Sequence, residues 1–296
     1  MGRNNNRCQA IFLAAIITLA TACDTATQTP AGTPADTTRQ DVDAISSGDT
    51  GSGGDGVAKP DRPVVAERLP YAEVDEQLVY GHFAFPADMV DPLPGLIVIH
   101  ERWGLDDGVR AQADRLAAQG YVVLAVDLFG GKTATDIAAA RPLMVQVIEN
   151  AELANDNIRQ AYQFLIDSGQ APAIGALGWS FGGGWVLNTA LLFPDDLDAA
   201  VIYYGQVTDN AERLKPLNVP ILGLFGAKDR GVTSDAVKAF QSALEGLGKD
   251  FQIEMYPNAG HAFADPGAGT YNSEAAEQAW ARSIEFLGRY LVESTE

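Results

Sequence analysis

The chain has 296 residues, 47% of them hydrophobic, and a formal net charge of −19 from 20 Lys and Arg against 39 Asp and Glu. Length alone admits one large domain or two small ones, and the apolar content is enough for a sizeable core. So acidic a balance lacks the clustered cations that displace counterions from phosphates, which argues against nucleic acid as a partner; the charge reads as a solubility feature.

The N-terminus places Arg3 and Arg7 before an apolar run, residues 10–20, that closes on Ala20-Thr21-Ala22-Cys23. A basic start, a short apolar core and small residues at a cut site describe a secretory signal peptide over residues 1–22. The run is too short for an ordinary membrane span. A Cys directly after the cut resembles a bacterial lipobox, although Leu19 stands one position further back than usual. The expectation is an exported protein whose Cys23 carries lipid and anchors it to a membrane, with plain secretion as the rival. Cys8 leaves with the leader, so the two cysteines offer the folded part no disulfide, thiolate metal site or cysteine nucleophile.

Residues 23–63 are rich in Thr, Ala, Pro, Gly, Ser and Asp, with almost nothing to bury against the entropy of ordering. They are expected to be a flexible tether, leaving 64–296 as the folded domain. Leu78 to Phe85 then reads as an edge strand ended by Pro86. Gly95 to His100 is a continuous apolar run, as in a parallel strand buried on both faces. Asp107 to Gln119 reads as a helix, Tyr121 to Val126 as a strand, about 135–167 as a long helical region, and Ala173 to Gly178 as a short strand. Leu197 to Tyr204 and Val219 to Phe225 are further strands. Val237, Phe240 and Leu244 mark a helix before the strand Phe251 to Tyr256. Ala276, Trp280, Ile284, Leu287 and Leu291 form the stripe of a last helix. This alternation predicts an α/β fold with a mainly parallel sheet and helices on both faces.

Between a strand and a helix stands Gly178-Trp179-Ser180-Phe181-Gly182. Gly-x-Ser-x-Gly in that setting is a nucleophile elbow: the Ser sits in a tight turn and the glycines let the chain fold back. A serine needs a base, and of three histidines His82 reads as structural and His100 as a core or supporting residue. His261, in the loop after the last strand, is the candidate base. Asp229, after the strand ending at Phe225, is the acid expected to hold it, with Asp209 and Asp235 as weaker alternatives. Ser180, Asp229, His261 is the chain order of the α/β-hydrolase fold. The oxyanion donors would be the backbone N–H groups of Phe181 and Arg102. No metal cluster or nucleotide-binding fingerprint competes, so neither metal nor cofactor is expected; Trp103, Phe129, Trp179 and Phe181 could line an apolar pocket.

Four blocks then carry a resemblance to the dienelactone hydrolase family. They are His100-Glu101-Arg102-Trp103-Gly104, Gly178 to Gly183, Leu222 to Asp229, and Gly260-His261-Ala262-Phe263 with Tyr271-Asn272 and Ala279-Trp280. The resemblance implies a small-molecule ester substrate. The best-known members carry Cys where this chain has Ser180, and a Glu matching Glu101 that helps ionise the thiol. Here Glu101 is expected to support the site by orienting His100, Arg102 or a water. Family members that hydrolyse dienelactone grip its carboxylate with arginines, which Asp265 to Thr270 does not supply. The elbow also looks like that of prolyl-oligopeptidase-type peptidases and some polyester-cleaving esterases. The reading is an exported carboxylic-ester hydrolase; the alternatives are a non-catalytic binding lipoprotein on the same fold and a small peptidase or amidase.

Overall fold

The structure is a computed structural model that describes residues 62–292. The expected leader at 1–22, Cys23 and all but the last two residues of the expected tether lie outside the described residues. Within them, β1 (Val64–Val74), β2 (Gln77–Pro86), β3 (Gly95–Ile99), β4 (Val122–Val126), β5 (Ile174–Trp179), β6 (Ala199–Tyr203), β7 (Ile221–Gly226) and β8 (Phe251–Tyr256) form one sheet in the order β1-β2-β4-β3-β5-β6-β7-β8. β1 and β2 pair antiparallel, β2 pairs antiparallel with β4, and the remaining pairings are parallel.

Strand period two divides the core. In β3, Ile97 and Ile99 point to one face and Leu96 and Val98 to the other; in β4, Val122, Leu124 and Val126 oppose Val123 and Ala125. The helices are α1 (Asp107–Ala118), α2 (Ile137–Glu149), α3 (Ala151–Asp167), α4 (Phe181–Leu192), α5 (Ala211–Leu214), α6 (Ser234–Gly246) and α7 (Ser273–Leu291). α1 and α7 cover one face through Leu116, Ala279, Phe286 and Leu287. α3, α4 and α6 cover the other through Ile158, Leu165, Val186 and Phe240. Truncating a fully buried residue such as Phe240 or Leu124 costs about 2–5 kcal/mol in lost transfer energy and cavity.

Three expectations are corrected. The edge strand is β1, and β2 lies inside it; β1 is mostly exposed and carries Pro70 beside a register shift between Pro70 and Ala72, so its sequence lacks the alternation that reveals a strand. The region 135–167 is two helices broken at Asn150, whose φ of −114° and ψ of 45° are not helical. The buried stripe of α7 runs through Ala275, Ala279, Ser283, Phe286, Leu287 and Leu291, with Ala276, Trp280 and Ile284 at its half-buried margin.

Candidate active site

The C-terminal ends of the parallel strands gather the predicted residues. Ser180 stands between β5 and α4 with φ 52° and ψ −112°, a region that costs a residue with a Cβ about 1–3 kcal/mol. The turn closes because its neighbours have no side chain. A Cβ on Gly178 would come within 2.9 Å of Ile99 O, and one on Gly182 within 2.5 Å of His100 O. Ser180 N–H donates to Tyr203 O at 2.9 Å, tying the turn to β6.

Ser180 Oγ lies 2.8 Å from His261 Nε2. His261 Nδ1 lies 2.7 Å from Asp229 Oδ2. The carboxylate can only accept, so Nδ1 carries the proton and Nε2 is left to accept from the serine hydroxyl. Asp229 is itself fixed: its Oδ1 accepts from Gly231 N–H at 2.7 Å and Val232 N–H at 3.0 Å. Its side chain is 1% exposed and that of His261 28% exposed, so the carboxylate is sealed in while the imidazole faces the cavity. Asp235, in the first turn of α6, is exposed, and His82 bonds Asp114 at 2.7 Å on α1; neither belongs to the site.

His100 has an unambiguous tautomer. Its Nε2 accepts from Leu128 N–H at 3.1 Å, so Nδ1 must be the donor, and it meets Glu101 O at 2.6 Å. Burial lowers its pKa and keeps the ring neutral. In a trans peptide the C=O and the following N–H point in opposite directions. Fixing Glu101 O on His100, with Gly104 N–H also donating to it at 3.2 Å, therefore turns the Arg102 N–H to the other side of the peptide plane. Among the described residues neither Arg102 N–H nor Phe181 N–H bonds a protein acceptor; Phe181 N–H is one of the unpaired donors that open a helix. The Arg102 side chain adds a contact the sequence did not suggest, with Nη2 3.4 Å from Ser180 Oγ.

The Glu101 carboxyl accepts from the Tyr204 hydroxyl at 3.2 Å; His100 meets only its backbone carbonyl. Burial first, then the nearby Asp265, pushes the Glu101 pKa up to about 7. Tyr204 follows β6 with φ 37°, and its ring packs edge-on against His261 with centroids 5.3 Å apart. Sequence reasoning missed Tyr204. Its one signal is position, since Tyr203-Tyr204-Gly205 ends a parallel strand where such sheets collect their sites.

A cavity of about 650 Å³ opens beside Ser180 and His261. Phe181 lines it as expected; Trp103 lines a neighbouring cavity of about 510 Å³ together with Arg102 and His261, and Trp103 and Trp179 both line a smaller one of about 90 Å³. Phe129 is buried against His100, centroids 4.5 Å apart. The large cavity's apolar wall is instead Met144, Ile148, Trp185, Leu187 and Val207. Arg102 and Arg213 line it too, so cations reach the site from segments other than Asp265 to Thr270. No cluster of three potential metal ligands occurs among the described residues.

This sheet order, closed by helices on both faces, is the α/β-hydrolase fold. It superposes on the crystal structure of a "Putative Dienelactone Hydrolase" from Klebsiella pneumoniae subsp. pneumoniae with a TM-score of 0.71 and 26% identity, covering 77% of this chain and 100% of that one. Residues 79–291 match the dienelactone hydrolase family, and the chain belongs to that family of hydrolases. Relatives include a "Putative carboxymethylenebutenolidase" of Escherichia coli K12, 28% identical over 79% of this chain and 90% of that protein. "Protein usf" of Aquifex pyrophilus is 33% identical over 67% of this chain and 89% of that protein.

Proposed function

We propose that this chain is an exported carboxylic-ester hydrolase that works through an acyl-enzyme on Ser180. The observation that carries the reading is the unbroken hydrogen-bonded line from Ser180 Oγ through His261 to Asp229, at 2.8 Å and 2.7 Å. His261 Nε2 takes the hydroxyl proton as Oγ attacks the ester carbonyl, and Asp229 stabilises the imidazolium that forms. The carbonyl oxygen, now negative, is received by the N–H groups of Phe181 and Arg102. The alcohol leaves with the proton from His261, and a water deprotonated by the same nitrogen frees the acid and restores Ser180. His100 acts by holding the Glu101–Arg102 peptide, and Glu101 by bonding Tyr204 behind the base. Cys23 would carry the lipid that anchors the exported protein.

An active-site fluorophosphonate should label Ser180, and Ser180→Ala should lower kcat/KM for p-nitrophenyl esters by roughly 10⁴-fold or more. Unlabelled Ser180 or undiminished turnover in the variant overturns the reading. Matched anilides separate an amidase from an esterase. Mass analysis of the N-terminal peptide from the membrane fraction tests the lipid on Cys23.

A further inference from the structure

The second helix has an apolar surface that the fold does not use. In α2 only Ala140 and Val147 are buried, while Ile137, Val145 and Ile148 are 51%, 40% and 61% exposed. An apolar helix on a folded domain ordinarily turns its stripe to the core. α2 also contains Pro142, which has no N–H to donate into the helix and weakens it there. These features are explained neither by the packing of the sheet nor by the chemistry at Ser180.

Two of its residues face the site. Met144 and Ile148, one turn apart on α2, line the 650 Å³ cavity together with Phe181, Trp185 and Leu187 of α4. Trp185 and Leu187 are buried beneath it, so the α4 side is fixed and the α2 side is open to solvent. The volume falls in the range that encloses a whole small-molecule ligand of some size, and an acetyl group would leave most of the apolar wall wet. The polar lining includes Asn188 from α4 itself, and Arg102, Gln206, Thr208 and Arg213 from segments outside both helices.

We propose that the ester cleaved at Ser180 has one apolar arm of several carbons, seated between α2 and α4 against Met144, Ile148 and Trp185. The arm covers Ile148, the most exposed apolar side chain of the cavity wall, and α2 is the side of the groove that selects chain length. This inference rests on Ser180 being the nucleophile. The arm is shared chemistry of two sources, the acid or the alcohol of the ester, and the substrate series below distinguish them.

Turnover by the full chain is measured on p-nitrophenyl acetate, butyrate, hexanoate and octanoate, and on methyl to hexyl acetates. One series should rise in kcat/KM, by up to about fourfold for each fully covered methylene. Ile148→Asp should reduce the long-to-short ratio in that series by about tenfold, since a charge replaces the covering surface. Val145→Asp is the control: it is exposed on the same helix but does not line the cavity, and its ratio should match the parent's. Flat profiles in both series overturn the proposal. So does an equal loss in Val145→Asp, which would make α2 a general apolar contact surface, such as one against a lipid bilayer. Ester turnover that is absent, or that survives Ser180→Ala, overturns the catalytic reading along with it; a flat profile with Ser180-dependent turnover overturns the apolar arm alone.

Discussion

His100 is a buried histidine whose two ring nitrogens are both committed to backbone, Nδ1 to Glu101 O and Nε2 to Leu128 N–H. It offers substrate nothing and instead sets the direction of a peptide plane. Its loss should therefore affect the transition state more than substrate binding. His100→Leu is expected to lower kcat by about 10²-fold, the usual effect of losing one oxyanion donor, with KM little changed. His100→Asn keeps a side-chain N–H near the position of Nδ1 and should recover part of that loss. A His100→Leu defect that appears in KM, or an Asn variant no better than Leu, would remove the peptide-orienting role. The tautomer behind the argument cannot be read from sequence, because it depends on Leu128, which only the fold brings to the ring.

At the scale of elements, the elbow was legible and the wall of the cavity was not. Gly178, Ser180 and Gly182 are close in sequence, and the turn they build is local, so a pentapeptide between an apolar strand and a helix suffices to predict it. Asp229 and His261 follow the same logic, each standing just after a parallel strand. The buried strands β3 and β4 were equally plain, as continuous apolar runs. Met144 and Ile148 gave no comparable signal: the sequence predicts a helix there but not the break at Asn150, and the break sets which way α2 faces. β1 has no such signal, because an exposed, bulged edge strand has little hydrophobic pattern. The close approach at the elbow makes a prediction of its own. Gly182→Ala places a Cβ against the backbone carbonyls of Ile99 and His100, neither of which is a flexible side-chain end. It should destabilise the protein by more than about 2 kcal/mol in urea unfolding and disturb Ser180 labelling. An Ala variant with parental stability would mean that α4 and β3 can separate at little cost.

Over the whole molecule, one buried carboxyl couples stability to pH. Glu101 has an ordinary pKa of 4.5, and burial pushes it up to about 7 in the fold. Below pH 4.5 it is neutral in both folded and unfolded chains. Between the two values the folded protein holds a proton that the unfolded chain releases, so stability falls as pH rises through that window. The loss is on the order of 3 kcal/mol by pH 8. Glu101→Gln has no such proton to lose, so its Tm should decline less than the parent's from pH 4.5 to 8. The charge of −19 also makes stability depend on pH, but nearly equally in both proteins, and the difference between the curves isolates Glu101. Parallel curves would place its titration elsewhere.

The residues in line at Ser180 come from far apart along the chain, 81 positions from Ser180 to His261 and 32 from Asp229 to His261. None of the three can find its partner through local structure alone. β5, β6, β7 and β8 must all have docked in register before His261 meets Ser180, and such long-range pairings form slowly. Under the proposed mechanism, activity would then signal completed folding: an unfinished chain that already has its early strands and its elbow would still be inert toward esters.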